Sequence, residues 1–336
     1  MKTVPNPHTR GEVLRQALAL VEPRLQRVEA FIAQQLEGGP PAIQQSGTYV
    51  LKSGGKRLRP ALLLLVSRLL GYSGDKDVRY AALVEMIHTA TLVHDDIIDH
   101  ASLRRGRASA NSRWGNQLTV LLGDWLYTRS MELALEVDDL EIMRLLSRAT
   151  MEMIEGEVLG LTLKGRTDVS LAQYLDIARR KTAELFAAAC AIPSLFSPDF
   201  SHFRQVLSEY GRNLGLCFQI VDDLLDLTGN EDMLGKPVFS DLREGKLTLP
   251  LILALPKFDQ EQRRAVEEVA NSGGFGQLLH PRQLREWLNA VDALSEARQF
   301  AVRFGERAAF LAAQLPAGFE QTALVAAPWF VLERNH

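Results

Sequence analysis

The feature that most restricts the fold of this chain is a D-D-x-x-D cluster of aspartates that occurs twice. The clusters occupy residues 95–99 and 222–226, each within an apolar stretch of helical character and with aliphatic residues at the x positions. Carboxylates crowded into an apolar helix repel one another and are costly to bury without a cation. Because residues four apart share a helix face, we expect two carboxylate-bearing faces turned toward each other.

Carboxylate oxygens at this spacing indicate a hard cation such as Mg²⁺. A single D-D-x-x-D cluster is more often a solvated helix face. Two copies flanked by Leu, Ile and Val are difficult to assign to solvent, so we interpret them as metal sites. The candidate ligands are Asp95, Asp96, Asp99, Asp222, Asp223 and Asp226.

The composition is that of an ordinary globular protein and argues against nucleic-acid binding. The chain has 336 residues, is 46% hydrophobic and carries a formal net charge of −3, which gives no basic surplus for nucleic acid. Cys190 and Cys217 form no C-x-x-C pair, so we interpret them as buried residues in a reducing compartment. No apolar run is long enough to span a membrane and the N-terminal residues lack the apolar core of a signal peptide, so we expect a cytoplasmic protein without a transmembrane segment.

Helical periodicity dominates and strand patterns are scarce. We expect an amphipathic helix over 13–36 interrupted at Pro23, a loop at 38–41, and shorter polar helices from about 247 onward. The long apolar-periodic stretches are 60–71, 76–100, 112–136, 139–163, 170–191 and 201–228. These patterns predict an all-α chain folded as one domain over 1–336, a large helical bundle with a central active-site cavity. Its motif-bearing core covers about 45–255 and its C-terminal helices about 257–333.

Basic residues accompany both acidic clusters. The run G-G-K-R-L-R-P at 54–60 combines two glycines, three cations and Pro60, which suits the first position of a helix. Free N–H groups at a helix start favour anions, so this run is typical of a diphosphate site. His88 lies two helical turns before Asp95. The further polar candidates are Arg104, Arg105, Lys181, Thr182, Gln219, Lys236 and Lys246.

The sequence combines two carboxylate-bearing helix faces, cations at several places along the chain and an apolar interior. This combination suits a reaction in which Mg²⁺ helps a diphosphate to leave. The chain has no P-loop, G-x-S-x-G elbow or dinucleotide fingerprint, which disfavours kinases, α/β-hydrolases and dehydrogenases. His94 and His100 cannot share a helix face with His88, which disfavours a zinc site.

The motifs G-G-K-R-L-R-P, V-H-D-D-I-I-D, K-T-A, F-Q-I-V-D-D-L-L-D and E-G-K-L-T-L-P follow one another between about residues 45 and 255. In this order they resemble the trans-polyprenyl diphosphate synthase family, most of all its long-chain octaprenyl-type members. The resemblance implies an all-α homodimer that joins isopentenyl diphosphate head-to-tail to an allylic diphosphate such as farnesyl diphosphate. It also implies a requirement for Mg²⁺, three ions with bound diphosphate, and transient membrane contact when product is released.

The resemblance also implies a role for each site residue. The principal Mg²⁺ ligands are Asp95, Asp99 and Asp222, supported by Asp96, Asp223 and Asp226. The residues that hold isopentenyl diphosphate are Lys56, Arg59, His88 and Arg105. Those that grip the allylic diphosphate are Arg104, Lys181, Lys236 and Lys246. Thr182 and Gln219 line the site near the developing carbocation, and Lys181 is counted with them as catalytic.

Product length and one loop receive separate expectations. In the resembling family, residues just before the first cluster form the floor of the product tunnel. Ala90 and Thr91 are small there, which predicts a long product near C40 for a quinone side chain. Family members carry glycine where this chain has Phe239, so we expect an altered local loop.

Four alternatives remain open at this point. A terpene cyclase or head-to-head synthase leaves the second D-D-L-L-D and the basic run unexplained. An HD-type phosphohydrolase leaves the second cluster unexplained. A synthase with a short C15–C20 product keeps the family and changes the product. A non-catalytic partner subunit tends to lose one acidic motif, whereas both are complete here.

Overall fold

The computed structural model describes residues 7–104, 106–137, 139–229, 238–276 and 279–334, with side chains from residue 10 onward. Within these ranges the only strands are β1 (Leu103–Arg104) and β2 (Arg107–Ala108), which pair antiparallel. The all-α prediction is therefore confirmed. The described residues divide into two compact units, namely unit 1 (within 1–150, 185–211 and 309–327) and unit 2 (within 151–184, 212–308 and 328–336). The single domain over 1–336 stays a prediction.

The helices of the first half of the chain are long. They are α1 (Pro7–Glu37), α2 (Pro41–Lys52), α3 (Leu58–Leu69), α4 (Lys76–Ile98), α5 (Ala110–Leu135) and α6 (Leu140–Thr162).

The second half contains more and shorter elements. They are α7 (Leu171–Ala178), a π-helical turn (Arg179–Ala183), α8 (Glu184–Ala191), 3₁₀ turns at Ile192–Leu195 and Pro198–Phe203, α9 (Arg204–Thr228), α10 (Ser240–Arg243), α11 (Leu249–Ala254), a 3₁₀ turn at Leu255–Lys257, α12 (Gln260–Ser272), α13 (Pro281–Ala290), α14 (Ala293–Ala312) and α15 (Phe319–Leu332).

Two expectations about prolines are wrong. Helix α1 runs unbroken through Pro23. The buried apolar stripe continues on both sides of this residue, with Val21, Leu25 and Val28, and its packing outweighs the one hydrogen bond that proline removes. Helix α3 begins at Leu58, two residues before Pro60, so the proline is the third residue of the helix and still within the first turn, where it is tolerated.

Helix α4 carries the first acidic cluster at its C-terminal end. Every residue from Tyr80 to Ile87 in it is buried, as expected for a helix that is apolar on all sides. Its neighbour α5 is interrupted at Gly115, whose φ of +79° and ψ of 162° lie outside the helical region and favour glycine.

Unit 2 has its own core, built from the end of α9 and from α10 to α13. Phe239 is fully buried in this core and packs edge-on against Phe275, with ring centroids 5.5 Å apart. Its backbone has φ +58° and ψ +32°, the left-handed region that favours glycine. The substitution therefore adds a buried aromatic ring at a position whose backbone a glycine would adopt without strain.

Among the described helices, none is long and apolar enough to cross a membrane.

Candidate active site

The first acidic cluster closes helix α4 in unit 1. Asp99 directly follows the last helical residue, and its N–H donates to the carbonyl oxygen of Asp95 at 2.8 Å. This one-turn hydrogen bond places Asp95 and Asp99 on one face, and both are half-buried. Asp96 is 5% exposed and belongs to the interior. The helix thus presents two of the three carboxylates together.

Arg104 balances the charge of the buried Asp96. The Nε atom of Arg104 donates to Oδ1 of Asp96 at 2.7 Å, and its Nη2 donates to the carbonyl oxygen of Leu92 at 3.4 Å. Burial raises the pKa of the Asp96 carboxyl, and the Arg104 guanidinium partly counters that rise. Arg104 is therefore held beside the first acidic cluster by the carboxylate of Asp96, a member of that cluster.

A cavity in unit 1, called here the first cavity, brings three of the candidate residues together. His88, Asp96 and Arg104 line it together with Tyr49 and Glu85. Of the remaining candidates in this unit, Lys56 is exposed, Arg59 and Thr91 are half-buried, and Ala90 is buried. The guanidinium of Arg59 lies 4.3 Å from the ring centroid of Phe186, and Thr91 donates to the carbonyl oxygen of His88 at 2.8 Å.

Arg57, the middle cation of the basic run, has a structural role. Its Nη1 lies 2.5 Å from Oε1 of Glu85 and its Nη2 donates to the carbonyl oxygen of Leu51 at 2.9 Å. Because Arg57 binds side-chain and backbone oxygens of unit 1, it joins α3 to α2 and α4. Arg57 is therefore engaged within unit 1, whereas Lys56 and Arg59 are the cations of the run that the family resemblance assigns to an anion.

The second acidic cluster lies near the C-terminal end of α9 in unit 2, and its three aspartates have different surroundings. The side chain of Asp222 is 39% exposed. Asp223 and Asp226 are buried. Asp226 accepts hydrogen bonds from Ser240 Oγ at 2.5 Å and from the N–H of Asp241 at 3.3 Å, so it anchors the first turn of α10.

Asp223 is the centre of a chain of hydrogen bonds. Thr182 Oγ1 donates to Gln219 Oε1 at 2.6 Å, and Gln219 Nε2 donates to Asp223 Oδ1 at 2.8 Å. Tyr174 donates its hydroxyl to Asp223 Oδ2 at 2.6 Å. Burial, and then the nearby Asp241, raises the pKa of the Asp223 carboxyl, and burial raises the pKa of Tyr174. These hydrogen bonds fix the orientation of the Thr182 and Gln219 side chains.

A cavity in unit 2, called here the second cavity, gathers five candidate residues from three segments of sequence. They are Lys181, Thr182, Gln219, Asp223 and Lys246. Lys181 forms an ion pair with Glu157, and Lys246 pairs with Glu244 at 2.9 Å. Two ammonium groups, a hydroxyl, an amide and a carboxylate therefore border one space.

Two predicted site residues, Arg105 and Lys236, lie outside the described residues. Among the described His, Cys, Asp and Glu side chains, no three come close enough to hold a metal ion by themselves. Hard oxygen donors at Asp95, Asp99 and Asp222 nevertheless fit Mg²⁺, which is usually bound through one or two carboxylates plus waters and substrate phosphates.

The structure adds two residues that sequence reasoning missed. Tyr174 holds Asp223, and its position seven residues before Lys181, on nearly the same helix face, was an available signal. Arg334 Nη1 lies 3.1 Å from Asp222 Oδ1, and its guanidinium stacks 4.8 Å above the ring centroid of Phe218. No motif in the sequence marks Arg334.

Comparisons with known proteins identify the family. The family model described as polyprenyl synthetase matches residues 40–277. Octaprenyl diphosphate synthase of Escherichia coli (strain K12) is 37% identical over 308 residues, which cover 92% of this chain and 95% of the relative. All-trans-nonaprenyl-diphosphate synthase (geranyl-diphosphate specific) of Rhodobacter capsulatus is 36% identical over 318 residues, 94% of this chain and 97% of the relative.

Solved structures match over nearly the whole chain. The crystal structure of polyprenyl synthase from Caulobacter crescentus CB15, complexed with calcium and isoprenyl diphosphate, gives a TM-score of 0.89 at 35% identity and covers 96% of this chain and 98% of that one. The fold is thus the all-α isoprenoid synthase fold. The chain belongs to the polyprenyl synthetase family and is a trans-polyprenyl diphosphate synthase, an enzyme that transfers prenyl groups.

Proposed function

We propose that this enzyme is a Mg²⁺-dependent synthase of long-chain polyprenyl diphosphates, which joins isopentenyl diphosphate to an allylic diphosphate until the product is near C40. The observation that carries the proposal is the pair of complete acidic clusters, each beside a cavity lined by basic residues. The octaprenyl and nonaprenyl synthases among its relatives support a long product. The free state of Cys190 and Cys217 supports the cytoplasm as its compartment.

Three exposed or half-buried carboxylates would hold the metal ions, namely Asp95, Asp99 and Asp222. We assign Asp96, Asp223 and Asp226 a supporting role because each is buried and hydrogen-bonded within its own unit. Three Mg²⁺ ions are expected with bound diphosphate. Bound Mg²⁺ supplies positive charge that stabilises the departing diphosphate.

The cations would divide between two diphosphates. Lys181, Lys246, Arg104 and Lys236 would grip the allylic diphosphate, and Lys56, Arg59, His88 and Arg105 would hold isopentenyl diphosphate. The second cavity supports the first assignment, since Lys181 and Lys246 border it together. Charged N–H donors bind phosphate oxygens strongly, and they would thereby hold the reacting carbon atoms of the two substrates close to each other.

Thr182 and Gln219 would face the carbocation that forms when the allylic C–O bond breaks. Because the Thr182 hydroxyl donates a hydrogen bond to Gln219, the lone pairs of the Thr182 oxygen can face the positive charge. The isopentenyl double bond then attacks the cation and forms the new C–C bond. A proton leaves the isopentenyl unit for the released diphosphate, so no protein base is required.

A turnover assay on the purified chain tests this proposal. We expect farnesyl diphosphate, isopentenyl diphosphate and Mg²⁺ to give a ladder of products that ends near C40 when sized by mass spectrometry. Removal of the metal with EDTA should stop elongation. A ladder that ends at C15 or C20 contradicts the long product, and no elongation from any allylic primer favours the non-catalytic subunit.

Replacing Ala90 with phenylalanine should shorten the product. Ala90 is buried in α4, five residues before the first acidic cluster, so an added ring would fill space that the growing chain needs. The measurement is the product ladder of Ala90→Phe against that of Ala90→Ser, which keeps the side chain small. An unchanged ladder for Ala90→Phe, with a normal melting temperature, would contradict the tunnel assignment of Ala90 and Thr91.

The enzyme is expected to act as a homodimer, for which one face of α6 is the candidate surface. Met151, Ile154, Val158 and Leu161 recur at helical spacing on α6 and are each more than 40% exposed. An exposed apolar stripe of this kind marks a protein–protein contact. Light scattering should show a dimer for the wild type and a monomer for Ile154→Glu. Leu18→Glu, a change at an exposed leucine of α1 that lies outside this stripe, should remain dimeric, and a monomeric wild type would reject the assignment.

A further inference from the structure

Lys181 and Thr182 lie in a part of the molecule where regular α-helix is lost. Residues 179–183 form one π-helical turn between α7 and α8. The wider π-helical turn is rare, and such turns are frequent at functional sites. Helix α7 itself starts with a capping box between Ser170 and Gln173, which fixes where the helix begins. The capping box sets the start of α7 but does not explain the wider turn at its end, so contacts with other elements must hold that turn.

Ion pairs hold the turn from outside the second cavity. Arg179 binds Glu152 at 3.1 Å, Asp176 at 2.8 Å and Glu184 at 2.8 Å. Arg180 binds Glu152 at 3.0 Å, Glu155 at 2.5 Å and Asp176 at 3.0 Å. Bidentate and shared contacts of this kind orient a guanidinium strongly. The turn is thereby tied to α6 through the carboxylates of Glu152 and Glu155.

Helix α6 approaches the turn closely at Gly156, which is buried. A Cβ atom placed on Gly156 would lie 2.7 Å from Cβ of Arg180 and 2.9 Å from the backbone nitrogen of Lys181. Both distances are below ordinary van der Waals contact, and one of the atoms is backbone. Any side chain at residue 156 would therefore push Lys181 away from α6.

Displacement of the turn would be felt directly in the second cavity. Lys181 and Thr182 border that cavity, and Thr182 starts the hydrogen-bond chain through Gln219 to Asp223. We propose that Gly156 is a positioning residue of this enzyme: its missing side chain lets α6 seat the π turn so that Lys181 and Thr182 face the allylic substrate. The proposal rests on the assignment of these two residues to the allylic diphosphate site.

Gly156→Ala is the variant that tests the proposal. We expect its kcat/KM for farnesyl diphosphate to fall by about 100-fold, the effect of a misplacement near 1 Å. The KM for isopentenyl diphosphate should stay close to the wild-type value. Gly11→Ala, a change in α1 at a glycine that lines neither cavity, adds its methyl where nothing lies within 4 Å, so both of its constants should stay within about threefold of wild type, as for a benign helix substitution.

Two more variants separate the possible failures. Arg180→Gln removes the ion pairs without touching the packing at Gly156, and it should raise the KM for farnesyl diphosphate selectively. Lys181→Ala tests the site assignment itself. Normal kinetics for Lys181→Ala would overturn the assignment of the allylic site. If Lys181→Ala is impaired and Gly156→Ala is normal, only the positioning role of Gly156 is overturned. Equal losses with both substrates and a lowered melting temperature for Gly156→Ala would overturn it too.

Discussion

Replacing Asp222 with alanine should lower the rate of elongation by about 1000-fold or more, the scale expected when metal-assisted charge stabilisation is lost. Asp222 is the only half-exposed carboxylate of the second cluster, because its two companions are buried and hydrogen-bonded. Its substitution therefore removes the proposed metal ligand and one ion pair, with Arg334, but no contact of the buried core. The melting temperature should remain close to that of the wild type.

The measurement is the initial rate at increasing Mg²⁺ concentration with farnesyl and isopentenyl diphosphates at saturation. Asp168→Ala is the control, since Asp168 is an exposed aspartate of unit 2 paired with Arg166 at 2.7 Å, and it should retain the wild-type rate. A loss below tenfold for Asp222→Ala at every Mg²⁺ concentration would show that Asp222 is not a principal metal ligand.

Replacing Phe239 should destabilise the protein in a definite order. Phe239→Ala leaves a cavity in the unit 2 core and is expected to cost about 3–5 kcal/mol. Phe239→Gly leaves a similar cavity but relieves the left-handed backbone at φ +58°, which returns about 1 kcal/mol. The wild type should therefore melt highest, the glycine variant next and the alanine variant lowest.

Thermal unfolding followed by circular dichroism measures this order. Phe330→Ala serves as the control because Phe330 is 40% exposed, and its substitution should change stability by less than about 0.5 kcal/mol. An alanine variant that is more stable than the glycine variant would show that Phe239 is not strained. A wild type that melts below either variant would show that its ring does not stabilise the core.

The long helices could be predicted closely from sequence. The stretches 76–100, 112–136 and 139–163 correspond to α4, α5 and α6 within about two residues at each end, the usual uncertainty of helix boundaries. Their apolar period repeats over many turns, so a few atypical residues do not hide it. The interruption expected at Pro23 is absent because the buried apolar stripe of α1 continues on both sides of the proline.

The π turn could not be predicted in the same way. Residues 170–191 show one uninterrupted helical pattern in sequence, whereas the wider turn depends on carboxylates of α6 and on the close approach at Gly156. Both are contacts between residues more than twenty positions apart. Periodicity reports which face of a helix is apolar, and it carries no information about how closely a neighbouring helix approaches.

The acidic clusters were identified from sequence, but the separate roles of their carboxylates were not. Helical spacing places Asp222 and Asp226 on one face, yet Asp226 is bound by Ser240, fourteen positions away. Arg334 likewise reaches Asp222 from the last described residues of the chain. Spacing shows where carboxylates are placed along a helix, and only the folded chain shows which of them another segment has already engaged.

The inward position of Asp226 has a consequence for genetics. Because its carboxylate anchors the first turn of α10, a change such as Asp226→Asn would weaken folding of unit 2 rather than remove a principal metal ligand. In a cell that depends on this enzyme, such an allele would support growth when cool and fail when warm. An allele changed at Asp222 would fail at every temperature, so growth tests alone would distinguish two aspartates of a single motif.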